Sequence, residues 1–347
     1  MRGRGPHRAA RCAGGHIDRA IRSVAALRGE RGTRAGRTFG VLARRRRTDP
    51  AVQEAPPVTD DSDLTARVQD SFDPERTDPR LRELLVPLVQ HLHDYAREVR
   101  LTHAEWEQVV DFLTRTGQAC DDLRQEFVLL SDVLGLSMLV EQLEADAAPG
   151  GTPQTVLGPF HLVESPPREQ GDDISAGVPG ERALVTGRVL SVTGEPVAGA
   201  LVDAWQSDTD GNYDVQRESD EIGQGRGLFT TEGDGSFRFV TVVPSDYPIP
   251  TDGPVGELLA ATGRHPNRPA HIHFQVVAPG FALLTTHLFV AGSVYLDSDA
   301  VFAATPDLVE EFVPDDDGEQ AARNGLSTPF PHARIELVLT PEHARAS

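Results

Sequence analysis

The chain has 347 residues, 39% of them hydrophobic and 25% charged, the balance of a folded globular protein of roughly two domains. Its net charge of −20 is unevenly spread: residues 1–50 carry 14 arginines against three acids (Asp18, Glu30, Asp49), and the remainder carries 19 arginines against 50 acids. A body this acidic repels nucleic acid and anionic membrane. No run approaches the ~20 apolar residues of a membrane-spanning helix, and Cys12 and Cys120 are too few for a disulfide framework, so a reducing cytoplasm is expected.

Residues 1–55 are rich in arginine and glycine and show no sustained hydrophobic period. They read as a disordered tail or as sequence ahead of the true start. No apolar stretch follows their arginines, as a signal peptide would require. Residues 56–150 read as helical. Arg80 to Val99 places Leu84, Leu85, Leu88, Val89 and Leu92 close to one stripe. Thr102 and Glu105 form a capping-box pattern ahead of Trp106, Val109, Val110 and Leu113, with Gly117 as the expected C-cap. Gln125 to Glu144 is apolar on all sides and is predicted to be the most buried helix.

The pattern changes at Pro149-Gly150-Gly151. Residues 151–347 read as short strands between Gly, Pro and Asp turns, the pattern of a β-sandwich. Strands are expected at Ala183 to Val192, Leu201 to Gln206, Ala270 to Val277, Thr285 to Ala291 and Arg334 to Leu339. Phe229 and Phe237 flank Glu232-Gly233-Asp234-Gly235, which predicts a hairpin. The fold is therefore expected to be mainly β, with a helical N-terminal part.

Candidate chemistry begins with His271 and His273. At i and i+2 on a strand, two imidazoles face the same side and can chelate a metal; a pair of satisfied, buried histidines would give the same pattern. Two of the four tyrosines, Tyr213 and Tyr247, lie in turns beside strands, where one rim of a sandwich can gather them.

These residues stand in longer matching stretches: Thr155-Val156-Leu157-Gly158-Pro159-Phe160, Gly199 to Trp205, Gly211-Asn212-Tyr213, Tyr247 to Leu259, and Gly263 to Phe274. From about Leu64 to Pro341 the chain resembles the intradiol ring-cleaving dioxygenases, non-heme iron(III) enzymes that open catechols between their two hydroxyls. The resemblance implies one Fe(III) per subunit, with Tyr213 and His271 as equatorial ligands and Tyr247 and His273 as axial ligands. Anionic phenolates suit ferric iron. Tyr247 would take a substrate proton, Arg268 would hold charge on the activated ring, and O2 would be the second substrate. At the place where many catechol-type members have Gln, this chain has His287, read as a hydrogen-bond donor or a pocket-lining residue. The pocket would be lined by Leu129, Asp132, Val156, Leu157, Gly158, Pro159, Phe160, Ile249 and Pro250.

The stretches Tyr247 to Gly256, Gly263 to Pro266 and Tyr295 to Phe302 are most similar to the hydroxyquinol branch, which implies ring opening of 1,2,4-trihydroxybenzene to maleylacetate. Asp132 would then meet the third hydroxyl. Catechol and chlorocatechol are the alternative substrates. The resemblance further implies a homodimer formed through the helices, with a lipid between them. Outside the resemblance, two readings stand: a non-catalytic sandwich module, and a Zn- or Fe(II)-binding jelly roll built on His271 and His273. The latter usually requires a nearby carboxylate or a third histidine, and the first Glu after His273 is Glu310.

Overall fold

The computed structural model describes residues 61–121, 124–147, 149–161, 165–217 and 223–342; the arginine-rich stretch lies outside them. The chain divides into two compact units that part at His93 and Asp94. In the first, α1 (Asp61–Asp70) is tied to the first part of α2 (Pro79–Glu98). Gln69 Nε2 donates to the Val86 carbonyl at 3.0 Å, and Thr65 Oγ1 lies 2.9 Å from His93 Nδ1.

The second unit opens with α3 (His103–Gln118), capped as the sequence predicts: Glu105 N–H donates to Thr102 Oγ1 at 3.3 Å, and Thr102 N–H donates to Glu105 Oε2 at 2.8 Å. The helix does not stop at Gly117. It runs to Gln118, and Ala119 is the C-cap. Gly117 serves packing instead, since a Cβ there would lie 3.3 Å from the Phe127 ring. The single buried helix expected from Gln125 to Glu144 is two helices, α4 (Glu126–Val133) and α5 (Leu136–Ala147), broken at Gly135, whose φ of +73° is left-handed. Most of the burial lies in α4, at Leu129, Leu130, Asp132 and Val133, whereas α5 buries Met138 and exposes Leu136, Leu139, Val140 and Leu143.

The remaining elements are β1 (Arg182–Ser191), β2 (Leu201–Gln206), β3 (Arg226–Thr230), β4 (Ser236–Val242), β5 (Tyr247–Pro248), α6 (Pro254–Ala261), β6 (Asn267–Arg268), β7 (His271–Val277), β8 (Leu284–Val290), β9 (Val309–Glu310), β10 (Val313–Asp315), α7 (Gly318–Arg323) and β11 (Phe330–Leu339). They build a four-stranded sheet in the order β10-β11-β1-β4, a five-stranded sheet in the order β3-β2-β7-β8-β9, and a two-stranded ribbon, β5-β6. The sandwich core joins Val185, Val189, Phe237, Phe239 and Leu337 from one large sheet to Val202, Phe229, Ile272, Phe274 and Leu288 from the other.

The predicted hairpin at Glu232–Gly235 is a crossing between sheets. The turn is tight, with Glu232 N–H donating to the Ser236 carbonyl at 2.8 Å. However, β3 pairs with β2 and β4 pairs with β1. The crossing lets Phe229 and Phe239 stack across the core at 5.3 Å, which a hairpin within one sheet would not allow.

Strand alternation then positions the site. On β7, Ile272, Phe274 and Val276 enter the sandwich core, so His271 and His273 occupy the opposite face. On β8, Leu284 and Leu288 point inward, leaving His287 and Phe289 on the face of His271 and His273. That outer face is covered as well: Phe289 packs in a second cluster with Leu129, Val133, Val156, Ile249 and Val255. Glu126, buried in the first turn of α4, accepts the Val255 N–H at 3.0 Å and so ties α4 to the start of α6.

Candidate metal centre

Register places three aromatic side chains in one row across the outer face. Trp205 pairs with His273, and His273 pairs with His287. Trp205 lies flat on His273, with centroids 4.7 Å apart and planes 9° apart, and His287 lies 4.1 Å from His273 on the other side. His271 sits one pleat along, opposite Phe289. Tyr247 enters from the β5-β6 ribbon, where it pairs with Arg268. Tyr213 comes from the loop after β2. Asp208 Oδ1 holds that loop by accepting from Asp210 and Asn212 N–H, and the buried Asp214 binds Arg226 through both carboxylate oxygens at 2.8 Å.

Two glycines allow the close approaches. A Cβ on Gly211, at φ +80°, would meet Asp246 O and Tyr247 Cβ at 3.0 Å, and one on Gly158, at φ +77°, would meet His273 Cε1 at 3.0 Å.

The four expected ligand side chains converge. His271 Nε2 is 3.1 Å from His273 Nε2, 3.4 Å from the Tyr247 hydroxyl and 3.5 Å from the Tyr213 hydroxyl, and the two hydroxyls are 3.3 Å apart. Arg268 Nη1 lies 3.3 Å from the same nitrogen. On its other side, His271 Nδ1 is 2.6 Å from the Pro269 carbonyl, so Nδ1 carries the proton and Nε2 presents a lone pair. One lone pair cannot satisfy four polar neighbours. Groups that each bind one ion at about 2 Å would stand about 3 Å apart, as these do. The residues therefore fit a metal, and two phenols with two imidazoles suit a hard, highly charged ion. The ligand atoms of His271, His273 and His287 also lie within 4.8 Å of one another.

The electrostatics agree. Burial, reinforced by the neighbouring Tyr247 phenol, raises Tyr213 well above its ordinary pKa, so a phenolate here requires a compensating cation. Burial, with the Arg268 charge adding to it, pushes His271 down to about 3 and holds His273 and His287 well below the imidazole range. All three are neutral imidazoles at physiological pH.

Arg268 is buried and held by Asp299, with Nε to Oδ1 at 3.1 Å and Nη2 to Oδ2 at 3.3 Å, leaving Nη1 toward His271. Asp299 also accepts from Val301 and Ala303 N–H. Its burial opposes ionisation, and the Arg268 charge outweighs that cost and lowers its pKa. Asp299 was not among the candidate residues. Its only sequence signal is its place in the stretch Tyr295 to Phe302.

Of the expected pocket residues, Leu129, Val156 and Ile249 share one buried cluster, which Val301 joins unpredicted. Phe160 stacks on Tyr213 at 4.7 Å. Asp132 is buried on α4 with Oδ1 lacking a hydrogen-bond partner among the described residues. Burial raises its pKa, partly offset by Ser137 and the charge of Arg268. Gly158 and Pro250 are half-buried, and Leu157 and Pro159 are exposed. His287 Nδ1 is hydrogen-bonded to Thr155 Oγ1.

This fold and this set of residues define a class, and comparison with known proteins agrees. A family profile described as "Dioxygenase" matches residues 162–330, and one described as "Catechol dioxygenase N terminus" matches residues 78–152. The chain belongs to the intradiol ring-cleaving dioxygenase family, and it is an enzyme of that family. It is 56% identical over 239 residues to the 6-chlorohydroxyquinol 1,2-dioxygenase of Cupriavidus pinatubonensis, covering 69% of this chain and 87% of that one. It is 44% identical over 282 residues to the hydroxyquinol 1,2-dioxygenase of Nocardioides simplex, covering 81% and 96%. Among solved structures, the hydroxyquinol 1,2-dioxygenase of Pseudomonas putida DLL-E4 matches with a TM-score of 0.74 at 44% identity, covering 81% and 99%. The catechol 1,2-dioxygenase of Acinetobacter radioresistens matches at 0.70 and 29%, covering 83% and 94%.

Proposed function

We propose that the protein binds one ferric ion per subunit through Tyr213, Tyr247, His271 and His273 and uses O2 to open hydroxyquinol to maleylacetate. The observation that carries this reading is the convergence of two phenol oxygens and the His273 nitrogen around the bare His271 Nε2. When bound, ferric iron draws electron density from a chelated, doubly deprotonated catechol and so opens its ring to O2.

The chain's own residues supply the rest. Tyr247 Oη takes a proton from the entering substrate, since it stands beside the other donor atoms on the short β5 strand. Arg268 keeps a permanent positive charge next to the ring, oriented by Asp299. His287 lends a neutral imidazole to the same space. Leu129, Val156, Gly158, Phe160, Ile249 and Pro250 form the pocket wall, whose apolar groups exclude water, with the exposed Leu157 and Pro159 at its rim. The open Oδ1 of Asp132 pairs the third hydroxyl, which distinguishes hydroxyquinol from catechol. A chlorinated hydroxyquinol is a second substrate, favoured by the 56% identity to a 6-chlorohydroxyquinol enzyme.

Exposed apolar residues on α2 (Leu84, Leu88, Leu92) and, separately, on α3 (Trp106, Val109, Leu113) suit a homodimer through the helices, and a bound lipid would cover such apolar surface. Among the described residues no helix is long and apolar enough to cross a membrane, and we place the enzyme in the cytoplasm. The test of the metal centre is elemental analysis with a visible spectrum. Purified protein should hold one iron per chain and show a tyrosinate-to-iron charge-transfer band that Tyr213→Phe shifts. Colourless, iron-free but active protein would overturn the reading.

A further inference from the structure

His287 poses a question that the other histidines do not. Its ring sits among the ligand imidazoles, 4.1 Å from His273 and 4.8 Å from His271 between centroids, and all three carry ligand atoms within 4.8 Å of one another. A lone pair on its Nε2 would make it a third imidazole ligand. An N–H there would make it a hydrogen-bond donor. The two neutral tautomers differ in nothing else, so whatever binds Nδ1 decides between them.

Nδ1 is bound by the hydroxyl of Thr155, a residue from the segment that runs over the outer face of the sheet. Thr155 is buried, its backbone N–H donates to the Thr285 carbonyl at 2.9 Å, and that strand leads directly into His287. Among the described residues the Thr155 hydroxyl has no partner other than His287 Nδ1. If Nδ1 carried the proton, the buried hydroxyl hydrogen would lack an acceptor, and Nε2, which has no hydrogen-bond partner among the described residues, would be an unsatisfied acceptor. If the hydroxyl donates to Nδ1, its hydrogen is satisfied and a single donor, Nε2–H, is left to meet whatever enters. Each unsatisfied buried group is costly, so the second arrangement is favoured. A doubly protonated ring would likewise leave the Thr155 hydroxyl hydrogen without an acceptor, so it does not compete.

We propose that Thr155 is a positioning residue that holds His287 in the Nε2–H tautomer, so that His287 acts as a fixed hydrogen-bond donor toward anionic oxygen on the reacting ring and cannot serve as an additional metal ligand. Its identity as a donor is independent of the metal; what it donates to rests on the function proposed above. A neutral donor next to Arg268 stabilises developing negative charge without bringing a second full charge into a buried site.

The test has two arms. In the iron-free, full-length protein labelled with 15N-histidine, long-range 1H–15N spectra should show His287 protonated at Nε2 and acceptor-like at Nδ1, with this preference lost in Thr155→Val and restored in Thr155→Ser. In the iron-loaded enzyme with hydroxyquinol, Thr155→Val should lower kcat by about tenfold with KM within about twofold, and Thr155→Ser should recover most of the loss. An Nδ1-protonated His287 in the unsubstituted protein would overturn the proposal whatever the enzyme does. A Thr155→Val enzyme with unchanged kcat would also overturn it. A protein with the expected tautomer but no ring cleavage by the unsubstituted enzyme would instead remove the assigned reaction.

Discussion

The two faces of β7 are made from alternate residues of one seven-residue strand, yet they obey different rules. Ile272, Phe274 and Val276 enter the sandwich core, where each neighbour is apolar and the requirement is volume. His271 and His273 enter an equally dry space, but their neighbours are Tyr213, Tyr247, Arg268 and His287, and the requirement is a partner for each polar atom. The inner face is complete as it stands. The outer face is complete only with a cation, because two phenols, a second imidazole and a guanidinium converge on the single lone pair of His271 Nε2, which cannot satisfy them all. A strand thus separates stability from chemistry by its two-residue period alone.

Substitutions on the two faces should separate these roles. The largest effect is expected at His271. His271→Ala should abolish iron binding and ring cleavage while leaving a folded, cooperatively melting protein, as read by metal analysis and calorimetry. Phe274→Ala should do the reverse, costing about 3–5 kcal/mol of stability while the fraction that remains folded still binds iron. If either variant lost both properties equally, the separation of faces would fail.

Asp132→Asn sharpens the picture at the pocket wall. The hydroxyquinol kcat/KM should fall by about tenfold or more, the worth of one buried hydrogen bond of about 1–3 kcal/mol, with catechol little affected. Equal losses on both substrates would assign Asp132 to the fold.

The smallest effect is expected far from the site, in the other sheet. Asp315 accepts from His332 Nδ1 at 2.8 Å and Arg334 Nη2 at 2.7 Å, and the hydrogen bond from His332 contributes most to lowering its pKa to about 2. A carboxylate with a depressed folded pKa contributes stability that is full above its unfolded value near 4 and is lost as pH falls toward about 2. Asp315→Asn should therefore flatten the acid limb of the stability profile over that window and leave activity unchanged at neutral pH.

What the sequence disclosed and what it withheld follow from the range of the interactions. The Thr102–Glu105 capping box and the shared face of His271 and His273 are local, and both stand in the structure. The crossing at Glu232–Gly235 depends on which sheet each strand joins, and a turn pattern does not encode that. The break at Gly135 was hidden because apolar residues on both sides of it, Val133, Leu134, Leu136 and Met138, continue the helical pattern. Trp205 beside His273, and His287 on the other side, require the register of three strands. Asp299 meets Arg268 across 31 residues with no spacing rule to announce it. Where the chain resembled a known family, motif order carried the reading further than periodicity, because the order of Tyr213, Tyr247, His271 and His273 reflects the whole fold rather than one element.

The most direct test of the central claim is oxygen uptake by the purified enzyme with hydroxyquinol and with catechol, each corrected by the His271→Ala protein for uncatalysed oxidation. The account predicts fast uptake with hydroxyquinol, one O2 consumed per maleylacetate formed, and much slower uptake with catechol. Iron-containing protein that consumes no O2 with either substrate would contradict it.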